Sequence, residues 1–280
     1  MKMFEWEQDE GMELTIPSIN GSGLDVQGID ANETALRMAR AEQLASQAQA
    51  GIALLRDIAA TMAKQTNTTA PVTYSLANLD EPSRQLVLEV LGKGEVSGHM
   101  SQPEPVQIQE SIFPGLWRLK SLSRPENPEV LVIGDVPPVM RIIQEIESLD
   151  VGMTIPADVE NTMNALPVLA EIKDRVQDYR HGHTNHVINF TLLPMSEQDM
   201  ALLRETLGAG HIDLTSTGYG ACRVCSTRWP HVWSVQFFNS MDKVILDTLE
   251  IGGVPNSVCA SQEDFQDSAE RIIEVIEAYL

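Results

Sequence analysis

Residues 72–96, VTYSLANLDEPSRQLVLEVLGKGEV, and residues 188–212, INFTLLPMSEQDMALLRETLGAGHI, align without a gap at a separation of 116 residues (188 − 72). The same shift carries Pro114 onto Pro230 and Trp117 onto Trp233. Nine positions between 72 and 119 are identical to their counterparts: Leu76, Glu81, Leu86, Glu89, Leu91, Gly92, Gly94, Pro114 and Trp117. About three would coincide by chance at ordinary residue frequencies. Two separated blocks in one register point to an internal repeat. Upstream, GIALLRDI (51–58) faces ALPVLAEI (165–172) at a shift of 114, and downstream DVPPVMRIIQEI is related to GGVPNSVCA at a shift near 118. Each copy then spans roughly 100 to 120 residues.

Within each copy the periodicity changes in the same order. Val72, Tyr74 and Leu76 alternate as a strand does, and Ile188, Phe190 and Leu192 repeat the pattern. A helix follows, with Asp80 or Ser196 as N-cap and Leu91-Gly92 or Leu207-Gly208 as its glycine stop. Strand-like runs come next: VQIQESI, LWRLKSL and EVLVIG in the first copy; CRVCSTR, HVWSVQFF and KVILDTLEI in the second. Leu44, Ala48, Ile52, Leu55, Ala59 and Met62 form one helical face before the first copy's strand, and Ala269, Ile272, Ile273, Ile276 and Leu280 a closing one. The expectation is an α+β fold of two similar lobes, each a helix–strand–helix–antiparallel-strands–helix unit. The boundaries expected are 1–31 for a mobile acidic tail, 32–152 for the first unit and 153–280 for the second.

Composition narrows the function. The 280 residues carry 19 Lys and Arg against 40 Asp and Glu, a formal net charge of −21, which repels a phosphate backbone and argues against nucleic acid. No apolar run approaches the 20 or so residues a membrane helix requires, and the start MKMFEWEQDEGMEL is acidic where a signal peptide is basic. The face opposite the first amphipathic stripe carries Glu42, Gln43, Gln47 and Gln49, not the basic residues of a membrane-surface helix. A cytoplasmic protein without membrane insertion is expected, and its three cysteines form no disulfide framework.

The motifs are few. Gly92-Lys93-Gly94 and Gly208-Ala209-Gly210 follow a helix and open a strand, the reverse of a phosphate loop. Cys222 and Cys225 have the spacing of metal ligands, with His231 or Cys259 to complete a zinc or iron–sulfur site. On a strand, however, positions three apart point to opposite faces and converge only across a bend. A thioredoxin-like use of the pair needs a helix N-terminus, and the pattern after Cys225 is not helical. His181, His183 and His186 occupy a polar connector. No catalytic constellation stands out, so no catalytic residue and no resident cofactor is expected. Trp117 and Trp233, at one repeat position, are core rings or interface anchors; with Tyr219, Arg223 and His231 they are the partner-binding candidates.

LGKGEVSGHM followed by IQESIFPGLWRLK, and later TSTGYGACRVCSTRWPHVWSVQFFNS and EDFQDSAERI, resemble the hydrogenase expression/formation proteins of the HupH/HyaF family over residues 40–280. The resemblance implies an accessory, chaperone-like factor in the maturation of an uptake nickel–iron hydrogenase. It implies cytoplasmic action on the immature iron–sulfur small subunit before export, beside a thioredoxin-like accessory protein. A metal or iron–sulfur carrier built on Cys222 and Cys225 is the alternative.

Overall fold

The computed structural model describes residues 46–124, 126, 129–150, 153–157, 162–218 and 220–278. The expected tail, Leu44, Leu280 and Tyr219 lie outside them. Chain order is α1 (Gln49–Met62), β1 (Val72–Ser75), α2 (Glu81–Leu91), β2 (Val96–Met100), β3 (Val106–Glu110), β4 (Leu116–Ser121), β5 (Val130–Ile133) and α3 (Pro138–Asp150). It continues through α4 (Ala165–Asp178), β6 (His186–Asn189), α5 (Glu197–Leu207), β7 (Ala209–Ser216), β8 (Cys222–Thr227), β9 (Val232–Phe238), β10 (Val244–Ile251), a short 3-10 turn (Asn256–Val258) and α6 (Gln262–Ala278).

All ten strands form one antiparallel sheet in the order β1-β5-β4-β3-β2-β7-β8-β9-β10-β6. The seam is the β2–β7 pair, in register from Val96↔Ser216 to Met100↔Ile212. Gly98 makes that approach feasible, since a Cβ there would stand 2.1 Å from the Asp213 carbonyl oxygen. The two halves thus share one hydrogen-bonded sheet instead of standing as separate lobes.

Alternation along each strand sends side chains to two faces. On the front face, Leu116, Leu131 and Ile133 lie under α1, α2 and α6, packed with Ile52, Leu86 and Phe265. At the other end of that face Ile188, Val232, Leu249 and Ile251 lie under α4 and α5. The back face gathers Val96, Ile108, Trp117, Leu214, Trp233 and Val235, covered by Val136, Met140, Ile143, Val254 and Val258. Burial of these side chains supplies the main folding drive, about 1.5–3 kcal/mol for each large one.

The helix ends follow the sequence. Asp80 accepts from the Ser83 N–H, and Ser196 with Asp199 forms a reciprocal capping box. Gly92 and Gly208 stop α2 and α5 at φ +52° and +59°, conformations that cost glycine little. One expectation is corrected at β6. The strand ends at Asn189, the Leu192 N–H returns to the Asn189 carbonyl, and Leu192 is 82% exposed. The turn takes the place of the last alternating positions because Asn189 Oδ1 also accepts the Thr191 N–H.

A second departure concerns the closing helices. α6 follows the second half yet packs on α1 of the first, with Phe265, Ala269, Ile272 and Ile276 in that core. α3 follows the first half, and its Gln144 Oε1 accepts the His231 N–H of the second at 2.7 Å.

Candidate functional site

Where the C-terminal segment crosses the seam, a cleft of about 630 Å³ opens between the halves. Glu95 and Glu110 line it from the first half, Ser216 and Thr217 from the second, and Cys259, Asp264 and Arg271 from the crossing segment and α6. Glu110 ends β3 on the back face and is 6% exposed. Burial raises its pKa to about 7, further helped by Glu95 and Asp264 and opposed by hydrogen bonds from the Gly115 and Val96 N–H groups. A buried carboxyl therefore shares this cleft with two other carboxylates, whose charge disfavours its ionisation. Arg271 is held across the Phe113 ring, 5.4 Å from its centroid, and bridges to Asp267 at 3.6 Å. The cleft offers carboxylate acceptors from Glu95, Glu110 and Asp264 and cationic donors from Lys93 and Arg271.

The thiol in its lining is disfavoured as a thiolate. Cys259 donates to the Pro255 carbonyl at 3.3 Å, and burial pushes it up to about 12 with a contribution from Asp135. Cys222 and Cys225 lie on opposite faces of β8. Cys222 belongs to the back-face core with Val224, while Cys225 faces forward beside Asp213, its Sγ 3.5 Å from Oδ1. Burial raises the pKa of both thiols. The spacing that made the pair candidate metal ligands does not bring the two thiols together here, because β8 stays regular from Cys222 to Cys225 and supplies no bend. Among the described residues no group of three His, Cys, Asp or Glu is arranged to hold a metal ion. His181 and His183 are exposed, and His186 Nε2 pairs with Glu171 at 2.7 Å.

The partner-binding candidates are scattered. Trp117 and Trp233 are both 0% exposed in the back-face core, so neither ring reaches the surface. Arg223 is half-buried on the front face, its Nε donating to Asp213 at 3.0 Å. His231 sits in the turn before β9, its ring 4.7 Å from that of Tyr179. Glu110, Asp264 and Arg271 were not singled out in the sequence. Glu110 had a signal: it occupies the repeat position of Ser226, and a charge among alternating inward residues is rarely idle.

Comparison with known proteins adds a family. The chain is 37% identical over 248 residues to the hydrogenase expression/formation protein HupH of Rhizobium leguminosarum bv. viciae, covering 87% of each chain. This chain belongs to the HupH family of hydrogenase expression/formation proteins. Residues 162–279 match the model of the HupH hydrogenase expression protein, C-terminal conserved region. HoxQ of Cupriavidus necator is 44% identical over 202 residues, 71% of this chain and 70% of its own. The hydrogenase-1 operon protein HyaF of Escherichia coli is 32% identical over 243 residues, 85% and 84% of the two chains. A solved structure, hydrogenase expression protein HupH from Thiobacillus denitrificans, is 28% identical and covers 41% of this chain and 93% of its own, with a TM-score of 0.35. Ser216, Thr217, Cys259, Asp264 and Arg271 of the cleft come from the HupH C-terminal region, whereas Glu95 and Glu110 come from outside it.

Proposed function

We propose that this chain is a non-catalytic accessory protein of hydrogenase maturation that holds the immature iron–sulfur small subunit in the cytoplasm before export, beside a thioredoxin-like accessory protein. Its relatives, aligned over most of the chain, carry the name hydrogenase expression/formation protein. The observation that favours a holder over a metal or cluster carrier is the placement of the thiols. Cys222 and Cys225 diverge, and burial keeps all three cysteines as neutral thiols, whereas a carrier presents thiolates to its cargo. Among the described residues no helix is long and apolar enough to cross a membrane.

The chain is also proposed to be an internal duplication with units at 32–152 and 153–280. Strand order about the seam supports this, since β1 to β5 on one side correspond to β6 to β10 on the other. Paired hydrogen bonds support it too: Ile112 N–H to Leu91 O matches Arg228 N–H to Leu207 O, and Ser111 Oγ to Phe113 O matches Thr227 Oγ1 to Trp229 O.

The test is co-expression with a tagged small-subunit precursor. Recovery of a complex, with the Cys222→Ser/Cys225→Ser double variant binding and supporting hydrogenase activity as well as wild type, is the expected result. Absence of the precursor from the pull-down, with hydrogenase activity intact after deletion of this chain, overturns the holder. Stoichiometric metal after anaerobic purification, lost in the double variant, favours the carrier.

A further inference from the structure

The front face of the sheet is roofed by helices at both ends and carries neither apolar core in the middle. The helices α1, α2 and α6 cover β1, β5 and β4, and α4 and α5 cover β9, β10 and β6. Between them, no front-facing residue of β3, β2, β7 or β8 belongs to a hydrophobic cluster. Cross-strand pairing runs instead through two polar rows. One row is Arg118–Gln109–Ser97–Thr215–Arg223–Gln236, and the next is Lys120–Gln107–His99–Asp213–Cys225. Gln107 is exposed, and Ser97, His99, Lys120, Asp213, Thr215 and Arg223 are partly so.

Four strands at about 4.8 Å spacing give this floor a width of about 14 Å, room for one element of a partner laid along the strands. A docked helix satisfies its own backbone and presents an apolar stripe, which nothing here would receive. Hydroxyl, amide and imidazole side chains instead match the unpaired N–H and C=O groups of an extended segment.

Charge decides the rest. In a chain of net charge −21, the rows hold Arg118, Lys120 and Arg223 against Asp213, with Glu129 as partner of Arg118. Lys120 and the His99 ring have no hydrogen bond or ion pair with any described residue. We infer that the central front face, with Lys120, Gln107, His99 and Arg223 at its heart, is a docking groove for an extended, carboxylate-bearing segment of a partner protein. This deepens the holder proposed above and rests on it: the groove is where the held chain lies.

The probes are two fluorescein-labelled peptides, Gly-Glu and Gly-Lys alternating over eight residues, titrated by anisotropy into the full-length chain at low and high salt. The acidic peptide binds, more weakly at high salt, and the basic one does not. Lys120→Glu weakens it about tenfold, as for the loss and reversal of a contacting charge, and the near-isosteric Gln107→Glu weakens it as well. Arg56→Glu, on the exposed side of α1, leaves binding unchanged and controls for net charge. Equal binding of both peptides, no binding of the acidic one, or equal loss with Arg56→Glu overturns the groove. The tagged precursor is tested in parallel. If wild type retains it while the peptide arm fails, the groove alone is wrong; if both fail and hydrogenase activity survives deletion of this chain, the holder falls with it.

Discussion

Gly115 and His231, 116 residues apart, hold the same left-handed turn before β4 and β9, at φ +84° and +60°. Each turn closes on a matching hydrogen bond, Gly134 N–H to Gly115 O and Gly252 N–H to His231 O. Only one of the two carries a side chain. A Cβ on Gly115 would stand 2.6 Å from Phe265 Cε1, so Gly115→Ala combines backbone strain with a clash against α6 and should cost about 2–4 kcal/mol. His231→Gly relieves about 1–2 kcal/mol of strain while losing the Tyr179 ring contact, so it should fall within about 1 kcal/mol of wild type. Urea titration of both variants checks the asymmetry.

Glu110 ties stability to pH. Its folded pKa of about 7 lies above the ordinary 4.5, so the folded state binds the proton more tightly. The contribution is therefore complete below pH 4.5 and lost as pH rises to 7, up to about 3 kcal/mol. Glu110→Gln should match wild type near pH 4 and exceed it at pH 8. Chemical denaturation across that range reads the difference, and parallel curves for the two proteins would remove Glu110 as the source.

Asp199 works in the opposite sense. Burial opposes its charge, yet the Ser196 hydroxyl and the backbone N–H groups of Ala165, Ser196 and Asn164 hold it well below the usual carboxylate range. Its contribution is present above pH 4 and lost as pH falls through the folded pKa. Asp199→Asn should cost about 3 kcal/mol at neutral pH, as for charge-assisted bonds removed from a buried site. Thermal melts at pH 7 and pH 3 should show the gap between variant and wild type narrowing in acid.

The two equivalent tryptophans differ at one atom. Trp117 Nε1 donates to the Gly134 carbonyl at 2.9 Å, whereas buried Trp233 Nε1 finds no acceptor among the described residues. Trp117→Phe should destabilise by about 1 kcal/mol more than Trp233→Phe, as measured by denaturant midpoints at constant slope.

The thiols should be silent. With all three pKa values raised by burial, the native chain should react with a disulfide reagent at pH 7.5 far more slowly than the urea-unfolded chain, which should release three equivalents. One fast native equivalent would show that a cysteine is presented after all.

Much of the fold was legible. The 116-residue register located both strand–helix–strand blocks, and the caps Asp80, Ser196, Gly92 and Gly208 act as the sequence indicates, because capping is local chemistry. The joining of the halves was not legible. β2 and β7 read as ordinary strands, and nothing in VSGHM or HIDLTS declares a long-range partner beyond Gly98. The crossing of α6 to α1 was hidden for the same reason: an apolar stripe records that a helix is covered, not by what. The candidate site suffered most. The Cys222/Cys225 spacing drew notice to residues that a regular strand separates, while Glu110, Lys120 and His99 acquire meaning only when the sheet sets them beside their neighbours.

The β2–β7 seam joins within one chain what a symmetric homodimer would join between two. Tethered halves do not separate on dilution, and neither is bound to mirror the other. A true dimer must place every substitution twice. This chain has Glu110 116 positions before Ser226, and Gly115 116 before His231, differences across the seam that two copies of one subunit could not show.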